Sequence, residues 1–215
     1  MPAITHNFNF DITYIFFLLI GYLSGSVLYA RIFGYLFKHK DITQNTKDNN
    51  PGTANAFING GFFCGICTLV CDLLKGFVPV FIYLRYEYSP DMGELALAFI
   101  FIMPVLGHMF PVFHRFNGGK AIAVSFGSLL GGFPYIYPAL VLAFFFILFS
   151  VIIRISPHYY RTIGTYACTA LYFIFTKEKL AIKLAVIIIT LLINLKLLHS
   201  NEEREKLKVN LLWMH

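Results

Sequence analysis

Charge is what this chain has least of. Of 215 residues, 17 are Lys or Arg and 11 are Asp or Glu, a charged fraction of 13% against an apolar fraction of 58%. Soluble domains carry about 25% charged residues, so this set cannot clothe a water-facing globule of this size. The apolar content excludes a disordered chain as well. Cysteine is sparse: Cys64, Cys67, Cys71 and Cys168 are the only four, too few for a secreted disulfide scaffold. Cys64 and Cys67 form one CxxC with no second pair, so zinc is not implied. The three early cysteines sit at helical spacing in an apolar run and read as small packing residues. An HExxH, an EF-hand loop and a histidine cluster are all missing, and no metal or cofactor is expected. The P-loop spacing and the GxSxG nucleophile elbow are missing too. The net charge is +6, yet no basic stripe interleaves with aromatics, so nucleic acid is not an expected partner.

Long apolar runs are what the chain does have. They cover 14–37, 57–84, 95–112, 120–133, 135–153, 162–175 and 180–198, and a charged tail follows at 199–215. A spanning helix needs about 20 residues, so the chain has room for about seven. Ten-residue period-two alternation does not occur, which favours helices over a barrel. The expected fold is therefore an all-α polytopic membrane protein of about seven transmembrane helices, forming one integral-membrane domain. The polar N-terminus lacks a basic region, so the first run reads as a retained anchor rather than a cleaved signal. GxxxG spacings at Gly21/Gly25, Gly61/Gly65 and Gly127/Gly131 predict close helix packing.

Basic residues set the orientation. With the N-terminus outside, the inner ends hold Arg31, Lys38, Lys40, Lys47, Arg115, Lys120, Arg154, Arg161, Lys196, Arg204, Lys206 and Lys208, twelve of the seventeen. The positive-inside rule then gives N-out and C-in. It also puts the polar loops at 38–55, 114–120 and 154–161 on one face. A single site assembled from three loops would need that.

Each loop has a structural reading and a chemical one. Asn117-Gly118-Gly119-Lys120 opens an apolar run. Glycine lets backbone approach an anion, a helix N-terminus offers unpaired N–H groups, and Lys120 adds a full charge. Plain loop flexibility with an orienting lysine is the alternative. Asn49-Asn50-Pro51-Gly52-Thr53-Ala54-Asn55 opens another run, as either an anion cradle or a cap and turn. Arg154 and Arg161 suit bidentate phosphate binding or simple anchoring. Asp72 and Lys75 lie three apart within an apolar run, where ionisable groups are costly and pair. His108 lies near the inner end of the third run. His6 and Asp11 form an H-x4-D spacing, but on the face opposite the cationic loops, where it reads as coincidence.

Taken in order, these features resemble a known family. The residues that carry the resemblance are Gly25-Ser26, Asp41-Ile42, Asn50-Pro51-Gly52-Thr53-Ala54-Asn55 and Asp72-Leu73-Leu74-Lys75-Gly76. To these add Gly107-His108-Met109-Phe110-Pro111-Val112-Phe113 with Phe116-Asn117-Gly118-Gly119-Lys120, and Asn194-Leu195-Lys196. From about residue 15 to 206 the chain resembles the bacterial membrane glycerol-3-phosphate acyltransferases that use acyl phosphate as donor. The resemblance implies a multi-pass enzyme of the bacterial inner membrane, among membrane lipid, with its active site facing the cytoplasm. It would convert acyl phosphate and glycerol 3-phosphate into lysophosphatidate for phospholipid synthesis, in functional link with the enzyme that makes acyl phosphate. The implied catalytic residues are His108, Lys120 and Asn194. The implied substrate-binding residues are Ser26, Asn50, Gly52, Asn55, Lys75, Gly118, Gly119, Arg154, Ser156 and Arg161.

The chain also departs from the family pattern. Gly-Ser-Ile-Pro reads Gly25-Ser26-Val27-Leu28 here, and Asp-Ile-Arg reads Asp41-Ile42-Thr43. Gly-Ser-Gly-Asn becomes Thr46-Lys47-Asp48-Asn49, with Lys47 a replacement in charge. The Arg-x-x-Ser-x-x-Ser loop survives only as Arg154, Ser156 and Arg161, and a histidine gives way to Leu191. A redirected acceptor is therefore open. So are two other classes, a small transporter of anionic metabolites and a non-catalytic membrane subunit of lipid synthesis.

Overall fold

The computed structural model describes residues 12–38, 41–43, 50–88, 92–201 and 204–212. His6 and Asp11, Lys40, Lys47 and the Thr46–Asn49 stretch lie outside them. The chain is mostly helical: α1 (Ile12–Ser26), α2 (Tyr29–Lys38), α3 (Thr53–Gly60), α4 (Phe62–Ile82), α5 (Glu94–Met109), α6 (Ile122–Leu130), α7 (Tyr137–Ile147), α8 (His158–Phe175) and α9 (Leu180–Leu198). Single π-turns extend α4 over Tyr83–Glu87 and α7 over Leu148–Ile152.

Among the described residues, four segments are long and apolar enough to cross a bilayer: Ile12–Lys38, Phe62–Glu87, Glu94–His114 and Leu180–Leu198. Tyr137–Ile152 is a shorter apolar helix. Large apolar side chains such as Phe16, Leu19, Phe63, Leu74, Phe144, Ile147, Leu191 and Leu195 stand exposed around the bundle. Patches of that extent are not tolerated in water, and hydrocarbon is their natural solvent.

Helix α5 is the axis of the core. It buries Leu97, Ala98, Ile100, Phe101, Ile102, Val105 and Met109, and packs on α1, α4, α6 and α9. Glycine permits the closest approaches. A Cβ on Gly25 would meet the Pro104 carbonyl oxygen at 2.1 Å, and one on Gly107 would meet that of Tyr22 at 2.1 Å, so α1 and α5 touch backbone to backbone. Gly76 and Gly127 do the same for α4 and α6, at 2.4 Å from Val124 O and 2.0 Å from Leu73 O. Two of the three GxxxG pairs thus serve as packing surfaces, as their spacing predicts.

In the third pair Gly65 also packs closely, a Cβ there falling 2.3 Å from the Phe57 ring of α3, while Gly61 does something else. Gly61 breaks the 57–84 run into α3 and α4 with a φ of 85°, a conformation costly for any residue with a Cβ. The 14–37 run is broken as well, at Val27-Leu28. There Arg31 N and Ile32 N both turn to the Leu28 carbonyl, and the Val27 carbonyl is left for another donor. Both interruptions lie beside the polar loops.

A two-stranded sheet was not anticipated. β1 (Ile153–Ser156) pairs antiparallel with β2 (Lys208–Leu211) of the tail, placing Arg154 opposite Asn210 and Ser156 opposite Lys208. Alternation over four residues is too short to stand out in a hydrophobic sequence. The Arg204 guanidinium lies 5.1 Å from the centre of the Tyr159 ring and helps hold the tail down.

Candidate active site

A cavity of about 800 Å³ opens between α3, α4 and α6. Two helix starts line it. Thr53, Ala54 and Asn55 form the first turn of α3, and Ala121, Ile122 and Ala123 lead into α6. Neither start has a side-chain cap, and backbone N–H groups at a helix start suit an anion. Lys120, Asn50, His108, Asp72 and His158 supply the other polar lining, and Phe57, Ile58, Leu69, Leu73, Val124, Phe126 and Leu130 the apolar lining. Along α6, Ile122 to Leu130 carries the wall about 12 Å from the polar loop into apolar surroundings. The cavity suits a ligand with an anionic head and an apolar chain.

Asn50 ties the two loops together. Its Oδ1 accepts from the Lys120 backbone N–H at 3.2 Å, and its carbonyl accepts from Asn55 Nδ2 at 2.8 Å and Gly52 N at 2.9 Å. The glycine loop folds back on His108. Gly119 N donates to the His108 carbonyl at 3.1 Å. A Cβ on Gly118 would meet that carbonyl oxygen at 1.9 Å, and one on Gly119 would meet His108 Nε2 at 2.4 Å. The two glycines are required by this close approach. Ala121 follows with a φ of 59° and starts α6.

Behind His108 lies a buried polar chain. The Lys75 ammonium is 2.8 Å from Asp72 Oδ1, 2.8 Å from His108 Nδ1, and donates to the Val27 carbonyl at 2.6 Å. The Val27 carbonyl is the one released by the break between α1 and α2. Lys75 and His108 are 4% and 2% exposed, so water does not compete for these contacts.

The residues expected from the sequence divide into three groups. His108, Lys120, Asn50, Gly52 and Asn55 line the cavity. Gly118, Gly119 and Lys75 pack directly on His108 from outside the lining. Five others are elsewhere. Ser26 is buried, donating to the Tyr22 carbonyl at 2.8 Å and accepting from Val112 N at 3.4 Å. Arg154 and Ser156 are exposed on β1, and Arg161 is half-buried in the first turn of α8. Asn194 lies on α9, its Oδ1 buried without a hydrogen-bond partner. Sequence reasoning missed His158 as a cavity residue, although it stands in a loop already marked as polar, whereas Thr53 of the 49–55 loop lines the cavity with its neighbours. His158 Nδ1 is 2.7 Å from Thr162 Oγ1, one helical turn on. Among the described residues, no group of three or more potential metal ligands occurs.

Fold and cavity together define an integral membrane protein with an internal amphipathic site. Residues 15–207 match the family described as glycerol-3-phosphate acyltransferase, and the chain belongs to it. A relative of that description from Pseudoalteromonas translucida is 42% identical over 112 residues, 52% of this chain and 53% of its own length. One from Cupriavidus taiwanensis is 36% identical over 135 residues, 60% of this chain and 66% of its own. The chain thus spans between about half and just under two thirds of these curated relatives. Two crystal structures of PlsY, an integral membrane glycerol 3-phosphate acyltransferase, share the fold. Its lysophosphatidic acid form superposes with a TM-score of 0.70 at 25% identity, covering 86% of this chain and 87% of that one. Its glycerol 3-phosphate form gives 0.72 at 26%, covering 86% and 88%.

Proposed function

We propose that this chain transfers an acyl group from acyl phosphate to the 1-hydroxyl of glycerol 3-phosphate at the cytoplasmic face of the bacterial plasma membrane. The observation that carries the reading is the cavity, where two uncapped helix starts and Lys120 share one space with an apolar wall. Both substrates bring phosphate, and one brings an acyl chain. The chain's similarity to PlsY in its glycerol 3-phosphate and lysophosphatidic acid forms supports the same substrates.

The hydroxyl oxygen attacks the acyl carbonyl carbon, the carbon–oxygen bond to phosphate breaks, and lysophosphatidate and inorganic phosphate leave. Acyl phosphate is already activated, so the protein's task is positioning and charge stabilisation. The hydroxyl proton ends on the departing phosphate. Lys120 and the two helix starts hold the phosphates, Asn50, Gly52 and Asn55 shape their seat, and Gly118 and Gly119 admit them beside His108. Arg154, Ser156 and Arg161 flank His158 in sequence and are assigned to the outer edge of the site. Asn194, with its unused buried oxygen, is assigned to the reacting end. The product enters phospholipid synthesis, and the enzyme that makes acyl phosphate must work alongside.

The reading carries a topology with it. The α1–α2 segment, α4, α5, α6, α7, α8 and α9 make seven crossings, with the N-terminus outside and the 199–215 tail in the cytoplasm. The helical part of α6 is only nine residues, far short of the hydrocarbon core. It crosses inside the bundle, packed on α4, α5 and α7.

Purified protein in lipid nanodiscs, given glycerol 3-phosphate with acyl phosphate or with acyl-CoA, tests the activity. Lysophosphatidate from acyl phosphate is expected, with Lys120→Ala lowering kcat/KM about 100-fold or more. No product from either donor, with Lys120→Ala indistinguishable from wild type, overturns the reading.

A further inference from the structure

We propose that Asp72 and Lys75 lock His108 as the tautomer that carries its proton on Nε2, making His108 a hydrogen-bond donor to an anionic substrate oxygen and not a base. This deepens the acyl-transfer reading of the cavity and rests on it. An ammonium group has three N–H donors and no acceptor. Those of Lys75 meet the Val27 carbonyl at 2.6 Å and His108 Nδ1 at 2.8 Å, while Asp72 Oδ1 pairs with the ammonium charge at 2.8 Å. The set closes only if Nδ1 offers a lone pair. The imidazole is then neutral, and its one proton sits on Nε2. Asp72 balances the Lys75 charge, so the buried trio is electrically neutral with Lys75 as the cation. The face of Tyr29, 5.5 Å from the ammonium, suits a cation as well.

Nε2 is the nitrogen turned toward Gly119. The space a Cβ there would fill lies 2.4 Å from Nε2 and 2.9 Å from Asn50 Oδ1. Glycine keeps this corner open, so the N–H points at the loop that carries Lys120 into the cavity. A fixed, buried donor of this kind stabilises charge that develops during acyl transfer without reorganising. Lys75 lies outside the cavity lining, and Asp72 stands at its wall beside His108. They are positioning residues that act through His108.

Nitrogen-15 NMR of histidine-labelled protein in nanodiscs tests the tautomer independently of turnover, with the His108 signals assigned by their loss in His108→Gln. A protonated Nε2 and an unprotonated Nδ1 are expected in the wild type. In Lys75→Met and in Asp72→Asn, signal from the Nδ1-protonated form should appear. Kinetics supply the second arm. Glutamine can place an N–H near Nε2 but cannot act as a base. His108→Gln should stay within about tenfold of wild type, while His108→Ala falls about 100- to 1,000-fold. A wild-type proton on Nδ1, tautomer signals unmoved in both positioning variants, or a folded His108→Gln as inactive as His108→Ala overturns the proposal. A wild type that shows the expected tautomer but transfers no acyl group defeats the functional reading and leaves the lock in place.

Discussion

The side-chain oxygen of Asn50 accepts a hydrogen bond from the backbone N–H of Lys120 at 3.2 Å. These residues are seventy positions apart, and the bond joins the two loops whose helices open into the cavity. Asn50→Ala should leave the helical bundle intact and let the glycine loop drift from the α3 start. A hydrogen bond of this kind contributes about 0.5–1.5 kcal/mol, so KM for glycerol 3-phosphate or acyl phosphate should rise about 2- to 12-fold. Initial-rate kinetics on both substrates measure it, and unchanged constants would show that the bond does not position the site.

The two glycines of the loop should fail differently. Gly119→Ala puts a methyl group 2.4 Å from His108 Nε2, at the edge of the cavity, so it should abolish turnover with little loss of thermal stability. Gly118→Ala meets the His108 carbonyl at 1.9 Å, so the backbone itself must move. Overpacking of that kind costs about 1–3 kcal/mol, and its melting temperature should fall. Gly93→Ala, with nothing within 4 Å of its Cβ, is the neutral control. Thermal unfolding and activity, read together, separate the three.

Close helix contact depends on Gly107 and Gly127. Alanine at Gly107 would meet the Tyr22 carbonyl at 2.1 Å and at Gly127 the Leu73 carbonyl at 2.0 Å. Either variant should be destabilised by about 1–3 kcal/mol in a reversible denaturation series in detergent. Stability equal to wild type in both would refute the backbone contact.

The apolar end of the cavity should set acyl length. Leu130 lies about 12 Å along α6 from Ile122 and lines the wall with Phe126. Leu130→Trp should shift preference toward shorter donors, and Phe126→Ala should relax it. Competition between acyl phosphates of different length reads the shift, and an unaltered product distribution in both variants would place the chain elsewhere.

The tail strand should order the segment that carries His158. Truncation after Ser200 removes β2, and the Ile153–Ser156 amides should then lose hydrogen-exchange protection while the core of α5 keeps it. Protection retained at 153–156 would show that β1 stands without its partner.

Much of this molecule is readable in the chain alone. The shortage of charge and the length of the apolar runs dictate a helical membrane protein, because only hydrocarbon tolerates such a surface and only closed hydrogen bonding survives in it. The Asn50–Asn55 and Asn117–Lys120 segments stand out as helix-opening polar loops, since Gly, Asn and Lys together are unusual between apolar runs. His158 was overlooked because its role comes from where the start of α8 lies, not from its neighbours in sequence. The breaks at Val27 and Gly61 escaped notice for a similar reason: apolar patterning does not register a backbone turn made among apolar residues. The partnership of Lys75, by contrast, comes from the folded arrangement. Its spacing points to Asp72, three residues away. The released Val27 carbonyl and His108 reach it from two other segments, and burial makes each of those contacts obligatory.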